Sequence, residues 1–276
     1  MSGDRMIPVL IYHEVNEKET NSGAKRRMHP ACCLSVEQFN EQMHYLHNHN
    51  FRSFLPEEIL EYSSSQKVAH FDKKPIVITF DDGHIGNYKY ALPTLKKYGF
   101  KAVFFIATDL IGRENMLTWS QLKEMVNEGM RVESHTVSHY PLSSISDEQI
   151  ENELLESKRI IEERLGVKVK YLSLPHGDFD SRLEAAARKA GYKGVFSSQA
   201  RYCRSNNQSF FSGRIEIRQD YNLDDFISIV EKRGSRLKMP GAGNKFKFYL
   251  RSLIGVNNYR KIYRFINRIK PRDSQS

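Results

Sequence analysis

Short strand-like runs alternate with helix-patterned stretches along most of this chain, and that alternation limits its fold more than any other feature. The runs are Val9 to His13, Phe51 to Leu55, Ile76 to Phe80, Lys101 to Ala107, Met130 to Ser134, Val169 to Leu174, Gly194 to Ser197 and Arg214 to Ile217. IVITF and KAVFFIA are apolar without a period of two, as expected of strands covered on both faces. Between them lie helix signals. Ser35-Val36-Glu37-Gln38 reads as a capping box ahead of Phe39, Met43, Leu46 and His47. Pro56-Glu57-Glu58 opens a short helix, and residues 87 to 98 form a helix stopped by Gly99. Trp119 to Asn127 is helical and stops before Gly129, and Ser146 to Leu165 is a long charged helix ending at Gly166. Ser181 to Ala190 and Asp224 to Glu231 complete the set, while residues 16 to 30 and 63 to 74 are polar connections. Seven or eight strand–helix units over about 230 residues predict an α/β fold, a distorted barrel more than an open sheet.

Composition sets the boundaries of function. The 276 residues, 39% hydrophobic with 16 Phe and 14 Tyr, suffice for one large core. No apolar run approaches the ~20 residues of a membrane span. Met1 to Arg5 leads into no apolar stretch of signal-peptide length, so the expected location is cytoplasmic. The cysteines, Cys32, Cys33 and Cys203, are odd in number and lack a C-x-x-C, which predicts free thiols. The net charge of +9 is uneven: Lys232 to Ser276 holds 13 of the 42 basic residues and one of the 33 acidic ones. We therefore divide the chain into a catalytic-type domain over 1–234 and a basic amphipathic helical extension over 235–276. Ile262, Phe265, Ile266 and Ile269 keep helical spacing there, with Arg264 and Arg268 between them and Lys270 directly after. Such a helix can pack on the barrel, lie peripherally on the anionic inner face of a membrane, or contact nucleic acid. No nucleic-acid motif of specific spacing supports the last.

Three polar clusters fall at the ends of predicted strands, the face where parallel barrels carry their chemistry. Thr79-Phe80-Asp81-Asp82-Gly83 follows IVI. Two adjacent carboxylates there need a shared cation or proton, and they can act together only if the strand is already turning, which Gly83 permits. Ser134-His135-Thr136-Val137-Ser138-His139 sets two histidines at i and i+4, a spacing that grips one metal ion from one side of a helical turn. Leu174-Pro175-His176-Gly177-Asp178 is by itself a turn. Jointly, a carboxylate and two imidazoles form a facial triad that leaves metal positions open.

These motifs resemble the polysaccharide deacetylases with a NodB-homology domain, the family-four carbohydrate esterases. T-F-D-D-G stands intact at Thr79 to Gly83, and H-[ST]-x-x-H stands intact at His135 to His139. The resemblance runs from about Met6 to about Glu231. Ile11-Tyr12-His13-Glu14-Val15 and Leu92 to Gly99 are similar to the branch of biofilm poly-N-acetylglucosamine deacetylases. It implies a distorted (β/α) barrel of about seven strands, Asp81 as catalytic base, and Asp82, His135 and His139 as metal ligands. It implies an oxyanion donor in the backbone around Pro175, His176 and Gly177. The cofactor implied is a divalent metal ion, zinc first, with cobalt or nickel accepted. The activity implied is removal of N-acetyl groups from an amino-sugar glycan, and the expected cytoplasmic location favours a lipid-linked or nucleotide-linked one over finished wall polymer.

The sequence also departs from the family pattern. The third motif reads Ser173-Leu174-Pro175-His176-Gly177, without the arginine that would steady the base. No histidine follows His176, so His13 and His176 become the candidates for the general acid, and His84 is the remaining histidine beside a motif. The long helix over 146–165 is expected to be scaffold with solvent-facing Glu–Lys pairs. Deformylation of a lipid-linked amino sugar, or glycan binding with weak catalysis, are the alternative functions.

Overall fold

A computed structural model of the chain describes residues 6–17, 32–59, 73–177, 181–204 and 211–232. All of them lie within one unit, Met1–Arg233, and the basic extension predicted over 235–276 lies outside the described residues.

The sheet is built from β1 (Val9–Tyr12), β2 (Phe51–Ser53), β3 (Lys74–Phe80), β4 (Val103–Ile106), β5 (Arg131–Ser134), β6 (Tyr171–Ser173), β7 (Gly194–Phe196), β8 (Phe211–Ser212) and β9 (Ile215–Glu216). Every pairing among them is parallel, in the order β8-β7-β6-β5-β4-β3-β1-β9, with β2 added beside the start of β3. The two ends of this path belong to one stretch of chain. Phe211–Ser212 pairs with β7, and Ile215–Glu216 pairs with β1. Gly213 and Arg214 join them, so the curled sheet closes into a barrel there. A Cβ on Gly213 would lie 2.5 Å from the Gln199 carbonyl, which is why the corner needs glycine.

The helices α1 (Val36–Asn48), α2 (Leu92–Tyr98), α3 (Trp119–Asn127), α4 (Asp147–Leu165), α5 (Ser181–Lys189) and α6 (Leu223–Val230) follow the predicted spans closely. The Ser35 capping box is present, with Gln38 N donating to Ser35 Oγ and Gln38 Oε1 accepting from Ser35 N. In α4, Ile150, Leu154, Ser157, Ile161 and Leu165 are buried along one face, and Gly166 ends the helix at φ 70°. Asn87–Ala91, read as the first turn of a single helix, is instead π-helical and runs directly into α2. No helix of the described residues is long and apolar enough to cross a membrane.

Alternation along the strands sorts the side chains into layers. Ile76, Ile78 and Phe80 of β3 alternate with Val77 and Thr79. Phe80 stacks on Tyr12 and Phe104, at centroid distances of 5.3 and 4.8 Å, and meets the edge of Phe39 from α1. Val77 joins Val9, Val103, Phe105, Tyr171 and Phe196 in a dry cluster inside the sheet. One step further along the strands the layer becomes polar: Thr79 follows Val77, and Ser173 follows Tyr171. The functional groups stand on that layer.

Candidate functional site

Asp81 follows β3 and is buried in the polar layer. Arg214, from the barrel-closing corner, is fully buried and grips it with both guanidinium arms: Nη1 donates to Oδ1 at 2.8 Å and Nη2 to Oδ2 at 2.7 Å. Its remaining donors reach Thr79 Oγ1 at 3.0 Å, Ser173 Oγ at 2.6 Å and the Ser197 carbonyl at 3.3 Å. Ser173 Oγ in turn donates to Asp81 Oδ2 at 3.0 Å. The arginine absent from the third motif is thus supplied from the opposite end of the domain. Burial works against the charge on Asp81, but Arg214 above all, with His135 and His13, holds its carboxyl below the usual range.

Asp82 turns to the same side as Asp81. Consecutive strand residues would diverge, but Asp82 itself adopts φ 75°, with Gly83 following at φ 88°. The expected turn therefore begins one residue before the glycine. Asp82 Oδ1 lies 3.0 Å from His139 Nε2 and 3.4 Å from His135 Nε2, yet it is buried without a hydrogen bond. Oδ2 lies 3.4 Å from His84 Nε2. One ligand atom each from Asp82, His135 and His139 falls within 4.8 Å of the others. Burial opposes the Asp82 charge, and the imidazoles of His135, His139 and His84 hold its carboxyl well below the usual range.

The histidine pair is correct in spacing but not in local structure. His135 and His139 do not share a helical turn; they flank a loop in which Thr136 and His139 take φ 70° and 59°. Glu153 of α4 holds that loop together. Its Oε2 accepts from the backbone N–H of Val137 at 2.8 Å and of Ser138 at 2.9 Å, and its Oε1 accepts from Ser138 Oγ at 2.6 Å. So α4 is more than scaffold: its inward glutamate organises the ligand loop. On the other side, His135 Nδ1 donates to the Ser173 carbonyl at 2.8 Å. A carbonyl can only accept, so the proton is fixed on Nδ1 and Nε2 presents its lone pair toward Asp82. The buried orphan oxygen and two converging imidazole nitrogens fit a divalent cation, and the mixed carboxylate–imidazole set is one that zinc accepts.

The remaining candidates border this centre. The His176 ring sits 4.9 Å from that of His139, on a residue at φ 60° that is exposed, while Pro175 beneath it is buried. His13 contributes to the fields at both Asp81 and Asp82 and carries a buried Nδ1 without a hydrogen bond. Four non-glycine residues of the site, Asp82, Thr136, His139 and His176, occupy the left-handed region, where strain of order 1–3 kcal/mol each concentrates at functional sites.

The architecture is that of the family-four carbohydrate esterase barrel. The deacetylase PplD of Streptococcus pyogenes, solved in complex with acetate, superposes with a TM-score of 0.73 at 25% identity, covering 83% of this chain and 99% of its own. The sequence model of the polysaccharide deacetylase family matches residues 69–195, so the chain carries a polysaccharide deacetylase domain. YxkH of Bacillus subtilis (strain 168) is 32% identical over 191 residues, which cover 68% of this chain and 62% of YxkH. The poly-β-1,6-N-acetyl-D-glucosamine N-deacetylase of Staphylococcus aureus (strain MRSA252) is 29% identical over 201 residues, 68% of each chain. This chain therefore spans less than two thirds of the length of YxkH, and just over two thirds of the Staphylococcus aureus enzyme.

Proposed function

We propose that this chain is a metal-dependent hydrolase that removes N-acetyl groups from a glycan containing N-acetylglucosamine or a closely related amino sugar. One observation carries the reading: three ligand atoms of Asp82, His135 and His139 converge within 4.8 Å, next to a second carboxylate that is clamped outside their set. The relatives support the substrate class, because one of them is a poly-β-1,6-N-acetyl-D-glucosamine N-deacetylase.

Asp82, His135 and His139 would hold the cation, which when bound polarises the acetyl carbonyl and makes water acidic enough to attack near neutral pH. Asp81 is the base. Arg214 keeps it ionised and fixes both oxygens, so it accepts the proton of the attacking water without rotating away. The backbone N–H of His176 donates to the oxyanion as negative charge collects there. His13 is the acid: it protonates the departing amine, taking the place of the late histidine that the sequence lacks. The amino sugar leaves with its nitrogen free, and acetate is the second product.

The test separates the two aspartates. Asp82→Ala should lose bound metal and acetate release together. Asp81→Asn should keep the metal and lose about 10²–10⁴-fold in kcat on an acetylated glucosamine oligomer. If Asp81→Asn hydrolyses at the wild-type rate, or Asp82→Ala keeps both metal and activity, the reading fails. Formate rather than acetate from a formylated lipid-linked sugar would move the substrate to the deformylase alternative.

A further inference from the structure

A second group of metal-ligating side chains stands beside the first. His13, Cys32 and Glu216 each bring one ligand atom within 4.8 Å of the other two. The topology explains the meeting. β9 pairs with β1 so that Glu216 lies opposite Ile11, two residues before His13. On the other flank, Glu14–Asn16 pairs in parallel with Cys33–Ser35, matching Glu14 to Cys33, so the same register one step back places Cys32 beside His13. Three chain segments distant in sequence thus converge on one imidazole. Glu216 Oε1 accepts from Cys32 Sγ at 3.5 Å, while Glu216 Oε2 is 4.0 Å from Arg218 Nη1. His13 Nδ1 is buried and makes no hydrogen bond. Cys33, next in the chain, is turned elsewhere, with its Sγ toward the Leu34 carbonyl.

We infer that His13, Cys32 and Glu216 form a second metal site, distinct from the Asp82–His135–His139 centre and selective for thiophilic divalent ions such as Zn²⁺, Co²⁺ and Cd²⁺. A thiolate, an imidazole and a carboxylate make a three-ligand set that a tetrahedral ion completes with water. The thiolate sets its preference: calcium and magnesium take oxygen ligands, whereas zinc and cobalt gain from sulfur. Binding replaces the Cys32 thiol proton, which passes to solvent, and the Cys32–Glu216 hydrogen bond gives way to two bonds to the ion. The site shares His13 with the acid role assigned above, so its occupant would take that imidazole out of proton transfer. Ligation itself does not depend on that role.

The experiment uses the full chain, stripped by chelator and dialysed against Zn²⁺ or Co²⁺, with metal counted per chain. The wild type should take about two equivalents, and Cys32→Ser and Asp82→Asn about one each. With Co²⁺, the wild type and Asp82→Asn should show a thiolate-to-cobalt charge-transfer band that Cys32→Ser lacks and Cys33→Ser retains. The inference is overturned if Cys32→Ser holds as much metal as the wild type, or if the band is missing from the wild type or survives in Cys32→Ser. A wild type that holds a single equivalent, lost in Cys32→Ser and kept in Asp82→Asn, would uphold this site and refute the proposed catalytic centre.

Discussion

Replacing Arg214 with methionine keeps much of the side-chain volume and removes the charge. The guanidinium is fully buried, makes five hydrogen bonds, and lies 5.2 Å from the ring centroid of Phe105 and 5.9 Å from that of Phe196. A thioether can occupy that space, so cavity formation is a minor part of the cost. The major part is Asp81, left buried and charged without its partner, and breaking such a pair costs about 3–5 kcal/mol. For a domain of this size each kcal/mol lowers Tm by about 2–4 °C, so Arg214→Met should melt roughly 6–20 °C below the wild type at neutral pH. The pH dependence has a definite sign. In the wild type the Asp81 carboxyl is depressed, so its contribution is present above the unfolded-state pKa and lost as pH falls through the folded one. Without Arg214, burial dominates and raises that carboxyl, so the folded variant takes up a proton more readily than the unfolded chain. Its deficit should therefore be largest at neutral pH and shrink on acidification. Thermal melts of the wild type, Arg214→Met, Asp81→Asn and the double variant test this by a cycle. The pair variant should be more stable than the sum of the singles by about 0.5–3 kcal/mol. Additive losses, or a deficit that does not change with pH, would refute the reasoning.

Three other predictions follow from neighbouring contacts. Glu153→Ala removes the acceptor of Val137 N, Ser138 N and Ser138 Oγ in the loop between the histidines, and should weaken zinc affinity by about 10–100-fold with little loss of Tm, measured by competition with a chromophoric chelator. Burial pushes the Glu133 carboxyl up to about 8 from its ordinary 4.5, despite hydrogen bonds from the N–H groups of Lys170 and Tyr171. The folded state then holds the proton longer than the unfolded chain, so stability falls as pH rises across that window. Urea unfolding of the wild type should lose on the order of 5 kcal/mol more than Glu133→Gln over the same rise, and parallel slopes would contradict it. Excess Zn²⁺ should slow acetate release by the wild type and spare Cys32→Ser, a contrast read directly from initial rates.

Local signals made the barrel and half of its site legible in the sequence. Caps at Ser35 and Ser146, stops at Gly99 and Gly166, and unbroken apolar strands are all decided by contacts within a few residues, so helix and strand positions followed from the pattern. Asp82, His135 and His139 were also visible, because the side chains that converge there sit in short motifs just after β3 and β5. Arg214 was not: nothing in its neighbourhood distinguishes it from the first residue of a short strand. Its meaning comes from topology, since Asp81 and Arg214 are 133 residues apart and meet only because the sheet curls until its last segment touches its first strand. A basic residue at the start of a predicted strand, in a chain with an unpaired buried aspartate, was the available signal. Glu153 escaped for a related reason. On a helix rich in charge, one carboxylate facing inward at the loop looks like its solvated neighbours, and only the packing of α4 beneath the histidines tells them apart.

The same closure explains why the second cluster lies where it does. The end of β1 is met by β9, and Glu14–Asn16 just beyond it is met by the Cys33–Ser35 segment. Any side chain at its tip therefore collects neighbours that no local motif can announce. His13 is that side chain, and it is drawn between two tasks: the field of Asp81 and Asp82 on one side, and the Cys32–Glu216 pair on the other. An imidazole so placed can serve acid chemistry only while its other neighbours leave it unligated. The barrel seam thus places the proposed acid within reach of a thiol, and the proposed second site would set the balance between them by which cations reach the strand end.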